Sequence, residues 1–142
     1  MEMLIQMLYA MYLATAQYAQ HSHEESVNLK RLTSLKEALD LFDDFDWEGQ
    51  AVEAQKLQKV SPTLSIQAEN GDDLVWVSVG MNPGGSLFFV TECTVQKGMK
   101  SILFGLIKRP NYVGSYNDGA SKEMARKVIE EFFDLRDSKG GV

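Results

Sequence analysis

The sequence predicts an α+β domain: an antiparallel sheet of about five strands with helices packed on one side. Three observations lead there. Between Ser61 and Glu92, short β-rich runs are separated by turn-forming dipeptides. Around residues 34–44 and 121–135 the apolar residues recur at helical spacing instead. The 142 residues are 44% hydrophobic and 24% charged, which suits one soluble domain with a core of its own and excludes a disordered chain.

The stretch 61–92 organises the rest. Leu64, Ile66 and Ala68 alternate with Ser65, Gln67 and Glu69, the period-two pattern of a strand with one buried face. Asn70-Gly71 accepts positive φ and favours a tight reversal. Leu74 to Val79 forms a second β-rich run, and Leu87 to Val90 a third after the wide turn Asn82-Pro-Gly-Gly-Ser86. The expectation is a three-stranded meander.

The other elements follow in chain order. Met1 to Gln20 lacks Gly, Pro and basic residues and is rich in helix formers, so it is expected as a packed helix appended to the domain. A signal remnant, a dimerisation helix and a partner-binding helix are the other readings of this stretch. Its four early methionines would make an adaptable apolar surface. The single α+β domain is expected over residues 25–136, with residues 137–142 as a flexible tail. His21-Ser-His23-Glu-Glu25 reads as a solvated linker; as a metal site it would lack further ligands at a recognisable spacing. Ser26 to Leu32 reads as a short strand. Ser34 with Glu37 has the form of a capping box, and Leu35, Ala38, Leu39 and Phe42 continue a helix that should stop by Gly49. Ala51 to Val60 reads as another strand and Thr91 to Lys100 as a polar connection. Ser101 to Ile107 reads as a short buried strand, and Asn111 to Gly119 as a loop with room for a short strand. Ser121 caps a last helix whose stripe is Met124, Ala125, Val128, Ile129, Phe132 and Phe133.

Charge and chemistry point to a binding protein rather than an enzyme. A net charge of −6 argues against general nucleic-acid binding, which needs clustered Lys and Arg. The single cysteine, Cys93, allows no internal disulfide and no Cys-based zinc site, which fits a reducing, cytoplasmic setting. As a nucleophile it would need a base, and the only histidines, His21 and His23, fall in the linker. The Asn82 to Ser86 turn lacks the lysine and helix of a phosphate-binding loop, and His23-Glu24 lacks the cysteines that complete a zinc deaminase signature. No cofactor is implied, and neither nucleic acid nor membrane is expected as a partner.

Two charge features remain. Glu37, Asp40, Asp43, Asp44, Asp46, Glu48 and Glu53 form a run without a basic residue, with Trp47 inside it. Such a run is either a solvated helix face or a surface for a basic partner. Asp43, Asp44, Asp46, Trp47 and Glu48 are the first candidates for partner binding. Asp72 and Asp73 are second, if the first hairpin turn lies nearby. Conversely, from Lys97 to Lys127 basic residues dominate.

Three segments together resemble a family of bacterial immunity proteins that protect against deaminase toxins. They are the helix Ser34 to Asp44, the strand pair Pro62 to Val77, and the closing segment Gly119 to Phe133; the likeness spans roughly Val27 to Phe133. It departs at both ends: the methionine-rich first segment is extra, and the chain ends where members often continue into an Arg-Pro and Trp-containing strand. The resemblance implies a non-enzymatic inhibitor, monomeric or homodimeric, that binds the catalytic domain of a cognate toxin. The acidic candidates come from charge alone. The competing expectation is a small acidic adaptor or chaperone-like module of a secretion system, using Met1 to Gln20 as its apolar interface.

Overall fold

The computed structural model describes residues 11–140. Within them lie six strands, β1 (Tyr12–Gln17), β2 (Val27–Leu32), β3 (Thr63–Ala68), β4 (Leu74–Met81), β5 (Leu87–Ile102) and β6 (Ile107–Ala120), and three helices, α1 (Leu35–Asp44), α2 (Trp47–Leu57) and α3 (Lys122–Gly140). The strands form one sheet in the order β2-β1-β3-β4-β5-β6, and every neighbouring pair is antiparallel. The α+β architecture is as expected, with one more strand.

The helices cover one face of the sheet. Ala14, Leu64, Ile66, Val75, Val77, Val79, Phe89 and Val95 point from that face into the core. Phe42, Trp47, Ala125, Ile129 and Phe132 meet them from the helices. Tyr12 on β1 packs against Phe132 and Phe133 of α3, with ring centroids 5.8 and 4.8 Å away. Alternate residues, such as Thr15, Ser65, Trp76 and Glu92, stand on the opposite face, which no helix among the described residues covers.

Strand β1 corrects the expected N-terminal helix; the first ten residues of that prediction lie outside the described residues. Helix propensity separates ordinary residues by no more than ~0.7 kcal/mol each, so tertiary pairing overrides it. Here β1 is an inner strand, hydrogen-bonded to β2 on one side and β3 on the other. Its alternation of buried Tyr12, Ala14 and Ala16 with half-buried Leu13, Thr15 and Gln17 is the pattern of a strand.

The region after α1 also differs. Ser34 caps α1 as expected: its side chain accepts from Glu37 N at 3.3 Å, while Glu37 accepts from Thr33 N and Thr33 Oγ1 at 3.2 and 2.8 Å. Asp46 then starts a second helix, Trp47–Leu57, by accepting from Gly49 N at 3.1 Å; it takes up most of the stretch Ala51 to Val60 that was expected as a strand. Trp47 and Ala51, one turn apart, carry its buried side, and Val52 and Leu57 are exposed.

The largest correction concerns residues 91–120. The expected connection 91–100 continues β5, the expected loop 111–119 lies within β6, and the expected buried strand 101–107 is mostly an exposed turn. Thr91 fits the core because its hydroxyl accepts from Asn117 Nδ2 at 3.4 Å. Gly114 permits the close pairing: it sits at φ +154°, and a Cβ there would lie 1.7 Å from the Cys93 carbonyl oxygen. The last helix starts where Ser121 Oγ accepts from Met124 N at 3.2 Å. It runs through the residues expected as a tail, to Gly140.

Candidate interaction surface

Four of the seven candidate residues have partners within the protein. Asp43 receives Arg126 Nε and Nη2, each at 3.0 Å, a two-pronged pair between α1 and α3. The Arg126 hydrogen bonds hold the Asp43 carboxyl below its ordinary range. Asp46 is the cap of α2. Trp47 is 2% exposed, and its indole N–H donates to Phe42 O at 2.9 Å; it is a core residue, not a binding anchor. Asp73 is buried against β5 and α3, where Oδ1 accepts from Gln96 N at 2.8 Å and Oδ2 pairs with Arg136 Nη1 at 2.5 Å. Glu48 lies in the first turn of α2, where its charge favours the helix dipole. Asp44, Glu48 and Asp72 are exposed and form no salt bridge among the described residues.

The fold also separates these residues. The α1–α2 junction packs against Phe89, with Trp47 and Phe89 centroids 5.4 Å apart. Asp73 holds Gln96, seven residues further along the same strand. The two groups therefore stand about 20 Å apart along β5. The acidic run is mostly internal pairing and capping rather than one free face. Glu37 pairs with Lys30 at 3.2 Å and Asp40 with Lys36 at 2.9 Å in the same manner.

A different feature dominates the surface. Strand β4 pairs with β5 only up to Thr94; beyond it, β5 and β6 continue as a two-stranded ribbon. A bulge marks the start: Gln96 opposes Tyr112 and Met99 opposes Pro110, so Lys97 and Gly98 stand against Asn111 alone. Gly98 takes φ +69° there, and Asn111 Nδ2 donates to Lys97 O at 3.4 Å. From Lys97 to Ile102 the arm extends roughly 20 Å. Isolated two-stranded ribbons are marginal in water, so this arm gains little by itself.

Its tip is apolar and open to solvent. Leu103-Phe104-Gly105-Leu106 form the turn, with Phe104 105% and Leu106 85% exposed. Leu103 and Phe104 adopt φ +53° and +57°, a left-handed conformation that costs a non-glycine residue about 1 kcal/mol or more. Behind the tip, Lys97, Lys100, Lys108 and Arg109 bring four positive charges and no acidic residue to the stretch 96–112. The signal was present in the sequence as an apolar run between basic residues. A short apolar run reads equally as a buried strand, and nothing local distinguishes the two.

Cys93 is buried on β5, and burial, aided by Glu131 and Asp73, pushes its thiol up to about 12. His21 sits in the β1–β2 connection, where its Nδ1 accepts from Tyr18 N at 2.9 Å. Among the described residues no three His, Cys, Asp or Glu side chains are placed to share a metal ion, and no helix is long and apolar enough to cross a membrane. No known protein family, curated protein or solved structure matches this chain.

Proposed function

We propose that this chain is a non-catalytic protein-binding module that delivers the β5–β6 arm into a recess of a partner protein. The observation that carries this reading is the tip: Leu103 and Phe104 are held in a left-handed turn outside the core, Leu103 61% exposed and Phe104 fully open to water. A turn selected only to reverse the chain would favour Asn or Gly at those positions. An exposed apolar tip on a ribbon is suited to filling a pocket, as an inhibitor fills a catalytic cleft.

In its specific form, taken from the resemblance of Val27 to Phe133, the partner is the catalytic domain of a bacterial toxin and the chain is its cytoplasmic immunity protein. The basic arm does not suit a phosphate-binding groove; it suits an apolar recess with an acidic rim. Asp44 and Glu48 remain available for a basic surface elsewhere on the same partner.

The test compares the tagged chain with a variant carrying Leu103→Asn, Phe104→Gly and Leu106→Ser. Both are used as bait in extract of the native source, and captured proteins are identified by mass spectrometry. The reading expects a partner held by the parent and lost by the variant, with far-ultraviolet circular dichroism unchanged. Equal capture of that partner by both would overturn it.

A further inference from the structure

The helix-free face of the sheet carries a second feature, independent of the arm. The register aligns Ser65, Trp76, Glu92 and Tyr116 in one cross-strand row. Trp76 and Tyr116 reach toward each other across the strand that bears Glu92; their centroids are 6.5 Å apart and their planes meet at 70°. Tyr116 is 60% exposed on the edge strand, and Trp76 and Glu92 are half-buried. Glu92 lies between Trp76 and Tyr116 in the register, and its carboxylate forms no salt bridge among the described residues. Its contact with the Thr94 hydroxyl, 3.4 Å long, uses one of about four acceptor positions.

We infer that Trp76, Glu92 and Tyr116 form a binding site for a cationic side chain, and for arginine in particular. Ring faces are electron-rich and attract cations. A carboxylate on the intervening strand adds a full charge and two oxygens that a guanidinium can meet with paired N–H groups. Two near-perpendicular ring planes offer one face for stacking and one edge to close the side, which suits a planar guanidinium better than a compact ammonium. The partner contributing the arginine would lie over the open face of β4, β5 and β6. Glu92 is four residues from Gln96, roughly 13 Å from the foot of the arm, so one bound protein could span both. The site stands whether or not the arm binds anything.

The test is a nitrogen-15 NMR titration of the full chain with Nα-acetyl-arginine methylamide, with the neutral isostere Nα-acetyl-citrulline methylamide as control. The two tryptophan indole signals are assigned with the variant Trp76→Phe. Arginine should shift the Trp76 indole and the Glu92 and Tyr116 amides saturably, and citrulline should not. Glu92→Gln, which keeps the shape and removes the charge, should weaken binding about fivefold. Equal shifts from both compounds, shifts at Asp44 and Glu48 as large as those at Glu92, or no saturable shift at all would each overturn the assignment.

Discussion

Replacing Asp73 with Asn should destabilise the fold severely, although Asp73 was one of the residues assigned to partner binding from its charge. The carboxylate is 2% exposed and joins three elements: its own β3–β4 connection, β5 through Gln96 N, and α3 through Arg136. Arg136 also lies over the Tyr12 ring, 5.6 Å from its centroid, so the pair ties α3 to β1 as well. Burial works against the Arg136 charge, and its interactions with Tyr12 and Asp73 outweigh that, so its pKa is raised. Asparagine keeps an acceptor for Gln96 N but leaves the guanidinium with no counter-charge. Removing one partner of a buried pair costs about 3–5 kcal/mol. With an unfolding entropy of ~2.1 cal/mol/K per residue, 3 kcal/mol lowers Tm by about 10 °C in a chain of this length. Arg136 Nε is buried without a hydrogen-bond partner, so the intact pair already bears a desolvation cost. The double variant Asp73→Asn/Arg136→Met, with no buried charge, should therefore recover most of the loss, giving a coupling of at least ~1.5 kcal/mol. The assay is urea unfolding of the parent, both single variants and the double. An Asp73→Asn variant within ~1 kcal/mol of the parent, or additive losses, would refute the reasoning.

Three further outcomes follow from the same structure. Cys93 should resist thiol reagents at pH 8 in the folded protein and react on unfolding in guanidinium, because burial, Glu131 and Asp73 push its pKa to about 12; fast native labelling with Ellman's reagent would contradict this. Glu37 is held down to about 2 by the Thr33 hydroxyl and amide and by Lys30, so it contributes stability that is complete above its ordinary value of 4.5 and lost as pH falls toward 2. A Tm-against-pH series should show the parent's advantage over Glu37→Gln shrinking through that window. The pair Leu103→Asn and Phe104→Gly should melt no lower than the parent by calorimetry, since neither side chain is buried and both replacements accept positive φ more readily.

The fold was legible where one local signal decided the matter. Leu64, Ile66 and Ala68 with Asn70-Gly71 identified β3 and its reversal, and the Ser34–Glu37 and Ser121 caps marked two helix starts. It was illegible where long-range pairing overrode composition. Tyr12 to Gln17 is built of helix formers and becomes a strand because β2 and β3 flank it. Asn111 to Gly119 has loop composition and becomes an edge strand because β5 supplies a register that accepts Gly114. The candidate site was harder still. Charge counting found Asp43, Asp46 and Asp73, yet Arg126, the α2 amides and Arg136, which occupy them, are distant in sequence or hidden in a helix terminus. The arm escaped because Leu103 to Leu106 is as apolar as a core segment, and only the ending of β4 pairing at Thr94 leaves it in solvent.

Site-specific photo-crosslinking tests the central claim most directly. A benzophenone amino acid placed at position 104, and separately at positions 44 and 48, is irradiated with the chain in its native extract. Binding through the arm gives a strong crosslink from position 104 to one partner protein, competed by unlabelled parent and not by the triple tip variant. A partner crosslinked from 44 or 48 but never from 104 would move the interaction to the α1–α2 junction and contradict the account.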